Sequence, residues 1–233
     1  MNKGVVSVLV AYLIWGLYPF YFHAMQHVAP TEIVIHRVLW TFALLAVYLF
    51  CSRRWRWIQK AITDRRTVAV FLMSSVLITA NWSTYTYAIV TNQTLEASLG
   101  YFMNPLVSVL LGTVFLKEKL NKAQMLAIVF ACAGVMWVTF KQGEFPALGL
   151  TLALSFGFYG LVRKMAPLGS LEGLTLETAF AFPVALLATF YFAGNVDLTF
   201  VHGTSWDKFW LIMAGPITTI PLILFAYGLK QVP

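Results

Sequence analysis

Long apolar stretches alternate with short polar connections along almost the whole chain. A helix needs roughly 20 apolar residues to cross a hydrocarbon layer about 30 Å thick. By this length criterion, the pattern predicts eight transmembrane helices, at residues 5–24, 32–50, 68–90, 97–116, 123–140, 145–162, 173–193 and 209–229. These stretches are apolar on all sides rather than on alternate positions, which excludes a transmembrane β-barrel.

The composition agrees with this pattern. Hydrophobic residues make up 60% of the 233 positions and charged residues only 11%. A soluble domain has too little polar surface to cover so much apolar material. The predicted fold class is therefore an all-α integral membrane protein, and its connections are mostly too short to hold a soluble catalytic domain.

Lysine and arginine are distributed unequally between alternate connections. One side would carry Lys3, Arg53, Arg54, Arg56, Lys60, Arg65, Arg66, Lys117, Lys119, Lys122, Arg163, Lys164 and Lys230. The other side would carry only Lys141 and Lys208. Since basic connections remain cytoplasmic, we expect a multi-pass protein of the bacterial inner (plasma) membrane with a cytoplasmic N-terminus. The net charge of +7 then reflects topology, so the expected partners are the lipid bilayer and a small-molecule substrate, with no nucleic acid.

A weak internal repeat relates the first and sixth predicted helices. The first contains Ala11, Trp15-Gly16 and Tyr18, and the sixth contains Ala153, Phe156-Gly157 and Tyr159. Further along, Glu32 and Arg37 correspond to Glu172 and Glu177.

A five-helix unit begins and ends on opposite sides of the membrane, so a second copy is inverted. We therefore expect a ten-helix, 5+5 inverted-repeat bundle. Residues 1–141 would form the first repeat, and residues 142–233 the first three helices of an incomplete second one. The chain is accordingly expected to be a fragment that lacks two helices.

Several motifs resemble the EamA family of the drug/metabolite transporter superfamily, and more narrowly its RarD branch. The most specific are LEASLGYFMNPL at residues 95–106 and FLKEK at residues 115–119, accompanied by Trp15-Gly16, Glu32-Ile33, His36-Arg37, Asn81-Trp82 and residues 158–164. The resemblance covers the entire chain. It implies a ten-helix permease of two inverted repeats, linked by name to chloramphenicol sensitivity or resistance, with a poorly defined natural substrate.

Charged residues inside the predicted helices indicate where function resides, because a charge in hydrocarbon usually faces the bundle interior or a wet cavity. Arg37 lies little more than one turn inside the second helix, beside His36 and one turn from Trp40. Glu32 and Glu96 open helices on the same side, so either carboxylate is placed to pair with Arg37. Arg37 would either form a structural pair with Glu96 that locks two helices together or have a substrate-binding or gating role, and the sequence leaves both open.

Glu177 enters the seventh helix from the cytoplasmic side, where Arg163 and Lys164 are the nearby cations. We expect an interfacial carboxylate that reaches towards water, with a proton-coupled carboxylate as the alternative. His36 is favoured as a packing residue over a proton-coupling one. No metal site and no cofactor are expected.

The fourth helix has a stripe of small and polar residues at steps of three or four, namely Ala97, Tyr101, Asn104, Ser108 and Gly112. The third helix has a similar stripe in Ser74, Asn81 and Tyr85. Such stripes either pack helices or line a cavity. The predicted substrate path consists of Trp15, Tyr18, His36, Arg37, Trp40, Asn81, Trp82, Tyr101 and Asn104, with Glu32, Glu96 and Glu177 as supporting or coupling charges.

Five prolines lie inside predicted helices: Pro19, Pro105, Pro183, Pro216 and Pro221. They are predicted hinges of a moving transporter, and static kinks are the alternative.

An enzyme is not expected, because the predicted spans contain no paired aspartates and no Gly-x-Ser tripeptide. A nucleotide-binding loop is also lacking from the sequence, so ATP is not a direct energy source. The favoured function is a secondary-active permease that exports small metabolites or drugs across the inner membrane by alternating access. A channel-like protein and a non-transporting membrane protein are the alternatives, and the oligomeric state is open.

Overall fold

The computed structural model describes residues 3–53, 55–143, 145–195 and 197–231, so Met1, Asn2, Arg54, Glu144, Val196, Val232 and Pro233 lie outside the described residues. Regular structure within these ranges is helical. The helices are α1 (Lys3–Gly16), α2 (Tyr18–His23), α3 (Pro30–Ser52), α4 (Arg56–Thr63), α5 (Arg65–Val90), α6 (Thr94–Phe115), α7 (Lys122–Gln142), α8 (Ala147–Met165), α9 (Ser170–Asn195), α10 (Thr199–His202) and α11 (Ser205–Leu229). The all-α membrane fold class is confirmed.

Each predicted span coincides with a helix. Within the described residues, seven helical segments are long and apolar enough to cross a membrane, with α1 and α2 counted as one segment. The segment predicted at 145–162 forms α8, which is less apolar because its last turn contains Arg163 and Lys164. The prediction of eight spans is therefore matched at seven segments and stays a prediction at α8.

The helices form one bundle in which α8 lies against both α5 and α6. Helix α3 packs on α9 and α11, and α11 also packs on α1. The closest approach of α6 and α8 depends on two glycines, because a Cβ added at Gly100 would lie 2.9 Å from the carbonyl oxygen of Gly149. Small residues of this kind let membrane helices pack closely.

Contacts between helix ends define two faces of the bundle. At the basic face, Lys164 pairs with Glu118, and the ammonium of Lys230 donates to the carbonyl oxygens of Ala166 and Leu168. The end of α3 and the start of α5 share this face, and they bring Arg53, Arg65 and Arg66 to it. At the other end, which we call the opposite face, α3, α6 and α11 begin and α5, α7 and α9 end.

Helix α4 runs along the basic face between α3 and α5. Its Ala61 and Trp57 pack against Phe71 of α5 and Ala166 after α8. Helix α5 then starts at Asp64, whose carboxylate accepts from the Thr67 amide at 3.1 Å and from the Thr67 hydroxyl at 2.5 Å. These bonds favour the charged form and lower the pKa of Asp64.

Candidate substrate path and buried charges

Arg37 is buried in the middle of the bundle, with 3% of its surface exposed. Its Nε donates to the hydroxyl of Thr218 at 3.1 Å, and Nη1 donates to the hydroxyl of Thr86 at 3.3 Å. Among the described residues, no carboxylate lies within ion-pair distance of its guanidinium. The charge is therefore held by neutral oxygens and by the rings around it.

Three aromatic rings surround this guanidinium. The Arg37 Cζ atom lies 4.8 Å from the ring centroid of Trp82, 5.6 Å from that of Phe22 and 5.9 Å from that of Tyr18. The negative faces of such rings attract a cation, and the effect grows when water is excluded. The aromatic residues thus offset part of the cost of burying Arg37.

Tyr18 is fixed by a proline on a different helix. Pro221 has no N–H, so within α11 the carbonyl of Ile217 lacks its usual donor. The Tyr18 hydroxyl donates to this carbonyl oxygen at 2.8 Å. The neighbouring Thr218 is the residue that accepts from Arg37, so the proline-containing turn of α11 positions two contacts of the site at once.

A cavity of about 20 Å³ lies beside the guanidinium, which is room for roughly one water molecule. Its walls are formed by Trp15, Tyr18, Arg37, Ile78, Asn81, Trp82, Tyr85, Tyr101, Phe156 and Leu222. We call this space the central cavity. Six of the nine residues predicted for the path meet there.

Two further cavities lie between the central cavity and the basic face, and neighbouring cavities share lining residues. A cavity of about 10 Å³ lies between Asn81, Tyr101 and Asn104. Beyond it is a larger open cavity of about 370 Å³, which we call the vestibule and which is lined by Asn104, Ser108, Glu118 and Lys164 among others. Phe156 borders all three spaces.

Phe156 is held in place by other rings. Its centroid lies 5.4 Å from that of Trp15 and 5.0 Å from that of Phe225. The sequence indicated Phe156 only as a counterpart of Trp15 in the repeat, and it was not among the predicted path residues. Its position between the cavities depends on the packing of α8 against α5 and α6.

Of the two asparagines of the predicted path, Asn81 connects two helices and Asn104 bonds within its own helix. Asn81 Nδ2 donates to the carbonyl oxygen of Leu152 at 3.1 Å and to the Ser155 hydroxyl at 3.0 Å. Asn104 is buried in α6, and its side-chain oxygen accepts from Ser108 at 3.5 Å. Helix packing and cavity lining are therefore combined in Asn81 rather than being alternatives.

The structure places His36 and Trp40 away from these cavities. Trp40 Nε1 donates to His36 Nδ1 at 3.0 Å, and the His36 ring lies 4.5 Å from that of Phe200 in α10. The backbone of Trp40 also lies against α11, since a Cβ added at Gly215 would come within 2.7 Å of the Trp40 carbonyl group. Both residues pack α3 against its neighbours.

The expected pairing of Arg37 with Glu32 or Glu96 is wrong. Glu32 accepts from the backbone amides of Thr199 and Phe200 at 3.0 and 2.7 Å, at the start of α10. Glu96 accepts from the amide of Leu148 at 3.0 Å, at the start of α8. Free N–H groups and the helix dipole make a helix start a favourable place for a carboxylate, and both glutamates satisfy that demand instead.

The expectation that Glu177 reaches towards water is also wrong, because only 1% of its surface is exposed. Its Oε1 lies 3.5 Å from Arg163 Nε and accepts from the Ser74 hydroxyl at 2.5 Å. Its Oε2 accepts from the Tyr159 hydroxyl at 3.3 Å. Arg163, one of the two cations anticipated nearby, is thus its buried partner.

Glycine makes room for this pair. A Cβ added at Gly173 would lie 1.6 Å from Arg163 Nη1 and 2.7 Å from a ring carbon of Phe71. The Arg163 Nη2 group donates to the carbonyl oxygens of Gly169 and Ser170 at 3.4 and 3.1 Å. The guanidinium is therefore confined between α8 and the first turns of α9.

The predicted hinge prolines occupy different settings. Pro19 lies in the first turn of α2, directly after the break between α1 and α2. Pro105, Pro183, Pro216 and Pro221 lie inside continuous helices. Their role as hinges stays a prediction.

Two threonines at Arg37 were missed as site residues by sequence reasoning. Thr86 lies one turn from Trp82, and Thr218 lies between two prolines of α11. These sequence positions indicate a contact with Arg37 only when it is known that α5 and α11 face α3 at this depth.

Comparison with known proteins identifies the family. Residues 2–140 match the model of the EamA-like transporter family. "Uncharacterized transporter YojE" of Bacillus subtilis strain 168 is 41% identical over 100% of this chain and 78% of that protein. "Protein RarD" of Escherichia coli K12 is 38% identical over 96% of this chain and 76% of its own length. "Uncharacterized transporter PA0485" of Pseudomonas aeruginosa is 37% identical over 100% and 78%. The chain therefore belongs to the EamA-like transporter family, as a multi-pass membrane transporter with RarD-type relatives.

Proposed function

We propose that this transporter is a secondary-active permease that exports small metabolites or drugs across the bacterial inner membrane by alternating access. The observation that carries the proposal is the separation made by Phe156. On one side lies a vestibule of about 370 Å³, and on the other lies the central cavity of about 20 Å³ beside Arg37. Ligand pockets commonly measure roughly 300–1,000 Å³, so the vestibule has the size of a site and the central cavity has to expand.

Contacts at the opposite face support a closed state on that side. The Tyr21 hydroxyl donates to the carbonyl oxygen of Trp210 at 2.9 Å. His27 Nε2 lies 2.9 Å from an oxygen of Asp207. A solute that leaves through this face requires these contacts between the α2 region and α11 to separate. With the predicted cytoplasmic N-terminus, the conformation is open to the cytoplasm and closed to the outside.

The predicted inverted repeat explains how the protein would change between states open to either face of the membrane. In the first repeat the Tyr18 ring lies against Arg37, and in the second the Tyr159 hydroxyl donates to Glu177. Tyr159 follows Tyr18 by 141 residues, and Glu177 follows Arg37 by 140. A tyrosine of the first helix and a charge of the second are thus paired in each repeat. Rocking of one repeat against the other would open one face while the equivalent contacts close the other.

The deciding experiment is a flux screen on the purified protein in liposomes under an imposed proton gradient. A permease gives saturable uptake or efflux that accelerates when unlabelled solute is present on the other side. Flux that rises linearly with solute concentration and ignores the other side indicates a channel and contradicts the proposal. Absence of flux for all solutes favours a non-transporting role.

Orientation is tested separately, because export requires the basic face to be cytoplasmic. Single cysteines at Arg66, Lys119 and Lys208, introduced after replacement of Cys51 and Cys132, are labelled in intact cells with an impermeant reagent. We expect labelling at position 208 alone. Labelling at positions 66 and 119 contradicts the proposed orientation.

A further inference from the structure

The two buried arginines of this protein differ in how their charge is balanced. Arg163 lies 3.5 Å from Glu177, and both side chains are at most 1% exposed. Arg37 is also buried, but among the described residues its guanidinium has threonine hydroxyls and aromatic rings as partners and no carboxylate. Since an unpaired charge in a membrane protein costs several kcal/mol, its retention at Arg37 calls for a ligand.

The guanidinium also has donors to spare. Arginine carries five N–H groups in a planar fork, and Arg37 uses one at Nε and one at Nη1. No described residue accepts from the remaining three. A carboxylate is the group that matches such a fork, since it binds two parallel N–H donors at once.

We propose that Arg37 binds the carboxylate of a small organic anion whose planar group stacks on the surrounding aromatic rings. The walls of the central cavity include Trp15, Trp82, Tyr85, Tyr101 and Phe156, which suit a flat apolar group. The free edge of the guanidinium supplies the polar contact to the carboxylate. This inference rests on the proposed function, because the anion is the solute that the permease would move.

The route to Arg37 starts in the vestibule. The vestibule opens at the basic face, and its wall carries the ion pair of Lys164 with Glu118. To reach Arg37 from there, the solute passes Asn104 and displaces the Phe156 ring, and the small volume of the central cavity then has to increase around the bound group.

Binding of two matched probes tests the inference on the unmodified protein. Tritiated phenylacetate and phenylacetamide have the same shape, and only the first carries a charge at pH 7.5. Scintillation proximity binding to the detergent-purified protein is expected to give an affinity at least tenfold higher for phenylacetate, or about 1.4 kcal/mol. Equal affinity, or preference for the amide, overturns the inference.

Variants then locate the preference. Arg37→Gln is expected to bind both probes with similar weak affinity, and Arg37→Lys is expected to keep a reduced preference because it retains the charge without the fork. Lys141→Gln removes a positive charge from the end of α7 and is expected to leave the preference unchanged. A preference that survives in Arg37→Gln contradicts the assignment. If Arg37→Gln does not fold, the probe pair on wild type and Arg37→Lys still decide it.

Flux in liposomes separates this inference from the proposed function. Phenylacetate that binds in an Arg37-dependent way without saturable flux contradicts the permease and leaves the anion site standing. Saturable flux of phenylacetamide without binding of phenylacetate contradicts the anion site and supports the permease.

Discussion

The Nε atom of Arg163 lies 3.5 Å from Oε1 of Glu177, in an ion pair whose two side chains are buried from lipid and water alike. Hydroxyls of Ser74 and Tyr159 complete the coordination of the carboxylate. The pair joins the end of α8 to the start of α9 beneath Phe71, whose ring centroid lies 5.5 Å from Arg163 Cζ. It fixes the part of the bundle nearest the basic face.

Removal of the Glu177 charge is expected to destabilise the protein strongly. Glu177→Gln leaves Arg163 buried without a counter-ion, at a cost of about 3–5 kcal/mol. The measurement is the thermal unfolding of the purified protein, together with its abundance in the membrane. The matched control is Glu118→Gln, which breaks the exposed pair with Lys164 and is expected to cost no more than about 1 kcal/mol. Equal effects of the two substitutions contradict the structural role of Glu177.

Gly173→Ala is expected to disrupt the same pair through steric conflict. The added methyl group would overlap Arg163 Nη1 and press on Phe71, and the guanidinium is held on its other sides by Glu177 and two carbonyl oxygens. We expect a lower unfolding temperature for Gly173→Ala. Gly134→Ala on α7 is the control, because a Cβ there meets nothing within 4 Å, and no loss of stability is expected. A normal unfolding temperature for Gly173→Ala contradicts the packing described.

Glu32 is expected to stabilise the start of α10 rather than to bind substrate. Glu32→Gln weakens two charge-assisted hydrogen bonds to the Thr199 and Phe200 amides, at a cost of about 1.5–3 kcal/mol for the site. Hydrogen exchange at these two amides should become faster, while the phenylacetate affinity of the folded fraction stays unchanged. Unchanged exchange, or a selective loss of affinity, contradicts this role.

Phe156 is expected to limit access from the vestibule to the central cavity. Phe156→Ala removes the ring that borders both spaces. A cysteine placed at Ile78, which lines the central cavity and is 2% exposed, should then react faster with a water-soluble thiol reagent. The background is the protein without Cys51 and Cys132. Phe130→Ala is the control, since Phe130 is 69% exposed on α7 and borders none of these cavities. An unchanged rate in Phe156→Ala contradicts the separation.

The start of α5 is expected to loosen in acid. The pKa of Asp64 is lowered by the Thr67 hydroxyl and the backbone amides of Arg66 and Thr67. The carboxylate therefore contributes its full stabilisation above its unfolded pKa, and that contribution is lost as the pH falls below this value and through the lower folded pKa. Hydrogen exchange at the Thr67 amide measures it. Asp64→Asn, which caps without titrating, should lack this pH dependence.

Several features of the site could be predicted from the sequence because they depend on depth along a helix. Arg37 and Glu177 were identified from charges inside apolar stretches, and Arg163 was one of the two cations expected near Glu177. Six of the predicted path residues line the central cavity. The pairing of Arg37 with Glu32 or Glu96 failed, because a position in the sequence fixes the depth of a side chain and leaves open which neighbour it faces.

The sequence by itself determined that this is a helical membrane transporter of the EamA-like family. Span length, apolar character and motifs depend only on residues that are close together in the sequence. Only the tertiary structure decided which group satisfies each buried charge. Glu32 and Glu96 bind helix starts, Glu177 binds Arg163, and Arg37 is left among threonines and aromatic rings. The physical reason is that the partner of a buried polar group is set by the rotation and packing of helices that are distant in sequence.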